Sequence, residues 1–201
     1  MRDYILRSAR YIAADCLRRF LLPGDTAVDA TMGNGHNTLF LCELVGEKGR
    51  VYAFDIQRQA IENTKALLAE NGLLENATLY QCGHERMAEM IRTPVQAVMF
   101  NLGWLPGGDK RVTTKWETTE TAVRQALDLL APEGICVICV YPGHEAGNLE
   151  RIRLKEILSG LRPQEYNVLH HCFLNAGESA PECFIIQKQI CKGKILDKYA
   201  E

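Results

Sequence analysis

Residues 29–38, DATMGNGHNT, combine a carboxylate, a pair of glycines and several hydroxyl and amide side chains. Gly33 and Gly35 allow a sharp turn that brings bare backbone close to a ligand. Thr31, Asn34, Asn37 and Thr38 supply polar atoms around that turn. Asp55 lies 20 residues beyond Gly35 at the end of an apolar run, with Gln57 just after it. A carboxylate there can accept both hydroxyl hydrogens of a ribose, and the spacing also suits a dinucleotide site. Loop and acid together therefore fit either NAD or S-adenosylmethionine. Two details favour the second. Thr38 stands where a pyrophosphate-binding turn usually has its third glycine, and Asp29 precedes the turn. A carboxylate at that point repels pyrophosphate but suits a ligand bearing an ammonium and a sulfonium. The plainer alternative is a glycine turn that serves topology alone.

A second constellation is FNLGWLPGGDK, residues 100–110. Ligands of an open α/β sheet sit beyond the carboxyl ends of its strands, which puts Asn101 at the reacting end. Asn101-Leu102-Gly103-Trp104 resembles the Asn/Asp-Pro-Pro-aromatic tetrapeptide of amino-group methyltransferases at its first and fourth positions and lacks the two prolines. In that pattern the Asn oxygen and a backbone carbonyl accept the amine's hydrogens and aim its lone pair. Trp104 offers a flat face on which a base can stack. The alternative is a capping Asn and a core Trp. Tyr141 and His144, in YPGHEAG, are candidates for the opposite wall. His144 reads either as a proton acceptor or as a helix-start residue without chemistry. His84, in CGHE, reads either as a contact to an adenine ring or as a solvated residue. Lys110, Arg111 and Lys115 crowd the stretch beside Asn101 and are the expected phosphate contacts of an RNA. Arg7, Arg10, Arg18 and Arg19, and later Arg151, Arg153 and Lys155, read as solvated faces.

The elements that must position these residues follow from periodicity. Apolar, β-branched runs predict strands at 26–31, 50–56, 77–83, 95–102, 135–142, 165–174 and 181–189. Helical patterns fit 3–20, 37–46, 57–71, 85–91, 117–131 and 146–160. Alternation of strand and helix implies a doubly wound, mostly parallel α/β sheet with helices on both faces. NAGESAP, between the last two strands, leaves no room for a crossover helix, so these should pair antiparallel. That is the layout of a Rossmann-like class I methyltransferase with seven strands. A single domain over 1–201 is expected, with an N-terminal helix (1–22), a core (25–189) and a tail (190–201). The irregular stretch 103–116 is long enough to be functional.

The net charge of −2 argues against a strongly basic nucleic-acid coat but leaves room for a local basic face. Charges recur throughout MRDYILRSARYIAADCLRRF, so it reads neither as a signal peptide nor as a membrane span. Among the eight cysteines, Cys136 and Cys139 form a C-x-x-C inside a strand-like run. Residues three apart on a strand point to opposite faces. No second pair with zinc spacing follows, so no metal site is expected and a reducing cytoplasm is.

DATMGNGH, FDIQ, FNLGWLPGGDK, TTKWETT, YPGH and FLN together resemble the MnmM-type tRNA 5-(aminomethyl)-2-thiouridine methyltransferases, formerly grouped as rRNA methylases. The resemblance runs from about residue 25 to 189. One departure is Asn37, where some relatives carry Asp. The resemblance implies methyl transfer from S-adenosylmethionine to the primary amine of 5-aminomethyl-(2-thio)uridine at the wobble position. It implies a tRNA anticodon stem-loop as partner; no membrane partner is expected, and a homodimer is a further expectation. Three other readings stand beside it: methylation of rRNA or of a small-molecule amine, an NAD-dependent oxidoreductase, and a silent S-adenosylmethionine-binding module.

Overall fold

The computed structural model describes residues 8–190. The predicted start of the leading helix, Arg7, Cys191 and the tail beyond Ile190 lie outside the described residues. Helix α1 (Ala9–Phe20) leads into β1 (Thr26–Asp29), α2 (His36–Val45), β2 (Arg50–Asp55) and α3 (Arg58–Glu70). There follow β3 (Ala77–Gln81), a 3-10 turn at His84–Arg86, α4 (Met87–Met90), β4 (Val95–Asn101) and α5 (Trp116–Leu129). The chain then runs through β5 (Leu130–Val140), α6 (Glu145–Ser159), β6 (Tyr166–His171) and β7 (Glu182–Lys188).

The sheet order is β3-β2-β1-β4-β5-β7-β6. The first five strands pair in parallel, and β7 runs antiparallel to both β5 and β6. Strand β4, VQAVMFN, is buried along most of its length, as a strand covered on both faces must be. The hairpin folds so that β7, with Cys183, Phe184 and Ile186 buried, docks on β5. The more polar β6, largely exposed, is left at the edge. Strand β5 differs from the expected 135–142. It begins at Leu130, and the register slips between Val95 and Ala97 so that pairing resumes at Ile135. Glu133 takes a left-handed φ of 66° within this irregularity.

Two apolar layers cover the sheet. On one face Ala13 and Leu17 of α1, Leu41 and Val45 of α2 and Leu68 of α3 pack on Ala27, Met99 and Val137. On the other, Met87 of α4, Ala122 and Val123 of α5 and Leu154 of α6 pack on Val28, Phe100 and Ile138. Cys136 belongs to the second layer and Cys139 to the first, so the C-x-x-C pair straddles the sheet. Arg151 and Lys155 are not merely solvated. Both reach buried Glu182, at 3.4 and 3.0 Å, and His170 Nε2 sits 2.7 Å from it, pinning α6 to the terminal hairpin.

Candidate active site

A cavity of roughly 1030 Å³ opens beyond the carboxyl ends of the central strands. Chain connections leave β1 and β4 in opposite directions there, which is where ligands of doubly wound sheets bind. The glycine turn closes one side. Gly35 has φ 84°, and a Cβ on it would lie 2.9 Å from the Thr64 Cα, so α3 crosses too close for any side chain. Asp55 ends β2 at the cavity wall. Its Oδ2 accepts the Gly33 N–H at 3.1 Å and its Oδ1 accepts the Gln57 N–H at 2.9 Å. Both oxygens are thereby fixed in place, and each keeps a lone pair for a diol. Asn34 ties the turn to the rest of the site: its Oδ1 accepts from Asn63 at 2.8 Å, and its Nδ2 donates to the Pro106 carbonyl at 3.1 Å.

Asp29 and Thr38 sit lower than the sequence argument put them. Both are fully buried and neither lines the cavity. The Thr38 hydroxyl donates to Asp29 Oδ2 at 2.7 Å, and the Thr31 N–H donates to Oδ1 at 3.1 Å. Burial pushes the Asp29 carboxyl up to about 6, against the opposing pull of these two hydrogen bonds. The acid thus organises the turn from beneath instead of facing a cationic ligand. Thr38 replaces a third glycine because its hydroxyl is the acid's donor.

The acceptor side is built from β4, β5 and the 103–115 loop. The Asn101 N–H donates to Thr31 Oγ1 at 2.8 Å, joining the ends of β1 and β4. The Tyr141 hydroxyl donates to Asn101 Oδ1 at 2.7 Å. Burial pushes the Tyr141 phenol up to about 12, so it remains a donor at neutral pH. Trp104 lies against the His144 ring, with centroids 4.6 Å apart, and Lys110 Nζ stands 5.5 Å from the Trp104 ring. The Gly147 N–H donates to His144 Nδ1 at 3.2 Å, so His144 caps α6. In the neutral ring the proton then sits on Nε2. His84 lines the cavity near Cys82, with Nδ1 3.1 Å from the Ala30 carbonyl, and its burial lowers its pKa.

The loop itself hangs from a buried carboxylate. Glu150, on α6, is fully buried and accepts from Thr119 at 2.6 Å and Thr114 at 3.0 Å. Thr114 Oγ1 in turn accepts the Gly103 N–H at 2.9 Å, and the Thr114 N–H donates to the Gly103 carbonyl at 2.9 Å. Burial pushes the Glu150 carboxyl upward, against both threonine hydroxyls.

The cavity brings together Thr31, Gly33, Asn34, Asn37, Asp55 and Gln57 from the first constellation. From the second it gathers Asn101, Trp104, Tyr141, His144 and Lys115. Gly35, Asp29 and Thr38 stand behind that lining. Arg111 lies outside it, held by Asp109 through paired bonds of 2.7–3.0 Å. Sequence reasoning missed His36 and Arg10, which line the cavity, and Glu150. Glu150 left a trace: it shares the helical face of Gly147, Leu154 and Leu158, all buried.

A family model described as "Putative rRNA methylase" matches residues 51–187. The chain belongs to this family. A Clostridium thermocellum protein described in the same words shares 40% identity and superposes with a TM-score of 0.89, over 91% of this chain and 98% of that one. A Streptococcus mutans protein solved in complex with SAH shares 31% identity at a TM-score of 0.83, over 92% and 99%. A chloroplastic tRNA (mnm(5)s(2)U34)-methyltransferase of Arabidopsis thaliana is 37% identical over 165 residues. The match takes in 77% of this chain and 60% of the length of the plant protein. The fold is that of the class I methyltransferases, a mostly parallel seven-stranded sheet with an antiparallel terminal hairpin. No described helix is long and apolar enough to cross a membrane.

Proposed function

We propose that this protein is an S-adenosylmethionine-dependent tRNA methyltransferase acting on the primary amine of 5-aminomethyl-(2-thio)uridine at the wobble position. The product is the 5-methylaminomethyl nucleoside. The observation that carries the reading is the Tyr141–Asn101 pair beside Trp104, across one cavity from the Asp55 diol site.

The residues present fit the cofactor. Asp55, oriented by two backbone N–H groups, suits the ribose hydroxyls. The turn at 31–34 would hold the methionine portion, and His84 and Cys82 flank room for the adenine. When bound, S-adenosylmethionine supplies an electrophilic methyl group on its sulfonium. Asn101 Oδ1, with one lone pair taken by Tyr141, offers the other to a substrate N–H and so turns the nitrogen lone pair toward that methyl. A new N–C bond forms as the S–C bond breaks, and the extra amine proton leaves to solvent. Neutral amines are reactive enough that alignment and desolvation suffice. Trp104, backed by His144, suits a stacked uracil. Lys110 and Lys115 suit the flanking phosphates of an anticodon stem-loop. The reading assigns the enzyme to the cytoplasm, where the free cysteines of the described residues stay reduced.

The plant relative's name motivates the tRNA assignment, and the family description keeps rRNA as the competing outcome. Purified protein incubated with labelled S-adenosylmethionine and either tRNA or rRNA, followed by nucleoside mass spectrometry, decides between them. Label in 5-methylaminomethyl-2-thiouridine from tRNA is the expected result. Label only in an rRNA nucleoside, or in none, rejects the proposal.

A further inference from the structure

Arg10 differs from Arg18 and Arg111. Arg18, on the same helix, is spent on Asp15 at 2.6 Å and on the Phe40 ring. Arg111, in the acceptor loop, is spent on Asp109. Arg10 makes no ion pair or hydrogen bond among the described residues, and only the Tyr11 ring lies near its guanidinium, at 5.4 Å. It nevertheless lines the reaction cavity, as do Ser8, Gly143 and Ser179.

Its position in the fold says which half of the cavity it serves. Helix α1 packs on the β5 and β7 side of the sheet, and the Arg10 charge is close enough to act on the Tyr141 phenol. Asp55 ends β2, which is separated from β5 by β1 and β4. Arg10 therefore stands over the acceptor half, away from the ribose end. Lys115 immediately precedes α5, which belongs to the opposite layer, and it lines the same cavity. Among the described residues, Arg10 and Lys115, neither in an ion pair, reach the cavity from opposite faces of the sheet. A neutral nucleoside alone has no use for such a pair, whereas a nucleotide within a chain carries one phosphate on its 5′ side and one on its 3′ side.

We propose that Arg10 binds a backbone phosphate of the nucleotide chain on the acceptor side, so that the target base enters between α1 and the 103–115 loop. The inference rests on the RNA substrate proposed above. Arginine suits the task because its planar fork can grip two phosphate oxygens at once.

The test compares Arg10→Gln and Arg10→Lys with Arg18→Gln as control, on full-length protein. RNA binding is measured against salt with an anticodon stem-loop. Methylation is measured on that RNA and on the free 5-aminomethyl-2-thiouridine nucleoside, and S-adenosylhomocysteine affinity is measured by calorimetry. Arg10→Gln is expected to raise the RNA KM roughly tenfold, as the loss of a charge-assisted contact implies. Its log-log salt slope should fall by a little under one unit, about one phosphate contact. Arg10→Lys should recover part of both, Arg18→Gln should change neither, and the penalty should shrink for the phosphate-free nucleoside. An unchanged slope and KM in Arg10→Gln overturns the inference. So does a selective loss of S-adenosylhomocysteine affinity, which would give Arg10 to the cofactor carboxylate. If wild-type protein binds this RNA but methylates none of it, the substrate assignment fails, while the salt slope still reads Arg10.

Discussion

The Tyr141 hydroxyl donates to the Asn101 Oδ1 across the ends of β5 and β4, at 2.7 Å. The bond orients the amide and leaves its oxygen with one open lone pair. Tyr141→Phe removes the donor while keeping the ring. Turnover should fall roughly three- to tenfold, the scale of one neutral hydrogen bond. S-adenosylhomocysteine affinity should stay within a few-fold, since Asp55 and the glycine turn are untouched. Single-turnover methylation with parallel calorimetry checks this; a wild-type rate means the amide is held without Tyr141.

Glu150 ties α6 to the acceptor loop through Thr114 and Thr119. Glu150→Ala leaves both threonine hydroxyls without their acceptor and should lower stability by about 1–3 kcal/mol. The same change should speed proteolysis between residues 103 and 115 and raise the RNA KM more than it weakens cofactor binding. Glu150→Gln keeps one acceptor oxygen and should recover much of the loss. If the thermal midpoint falls but loop cleavage and KM do not change, Glu150 serves the helix and not the loop.

The elements were legible because their periodicities are strong. The buried run of β4 and the short NAGESAP link already imply parallel strands closed by a hairpin. The docking of β7 on β5 was not legible in the connection, because a hairpin of that length pairs the same way whichever strand lies inside. Burial of Cys183, Phe184 and Ile186 chooses β7. In the site, Asp55 and Asn101 could be found because they end apolar runs. Asp29 ends one too, yet it faces down into the Thr38 hydroxyl. Pattern alone gives the end of a strand and not the side on which its last residue emerges. Arg10 was hidden for a related reason. A charged helix residue looks solvated until the helix is docked, and only the packing of α1 on β5 and β7 brings it to the cavity.

The Asp29 carboxyl titrates near 6 in the fold, above its ordinary 3.8. A carboxyl raised on folding contributes stability that is complete below the unfolded value and is lost as pH rises through the folded one. The window is thus about pH 4 to 6. The rise from 3.8 to about 6 corresponds to roughly 3 kcal/mol, all of it lost by neutral pH. Asp29→Asn has no such titration. The midpoint difference, wild type minus variant, should therefore decline between about pH 4 and 7 in thermal melts. A flat difference would mean that Asp29 ionises as it does in the unfolded chain, and a rising one that the turn favours its carboxylate.

Asn101 tests the mechanism itself. Its Oδ1 is held by the Tyr141 hydroxyl in the cavity that Asp55 and Trp104 also line, so Asn101→Ala should misalign the amine and cut single-turnover methylation by roughly a hundredfold or more. Cofactor affinity should move only a few-fold, because the proposed cofactor contacts, Asp55 and the 31–34 turn, are untouched. Asn101→Asp should retain more activity than alanine, since a carboxylate still accepts from both Tyr141 and the amine. The wild-type rate should climb with pH as the bound amine loses its proton. The measurement is single-turnover methylation of tRNA carrying 5-aminomethyl-2-thiouridine, with thermal melts confirming that each variant folds. A near-normal rate in the alanine variant would reduce Asn101 to a bridge between β1 and β4 through its N–H bond to Thr31, a role that any backbone at this position could fill.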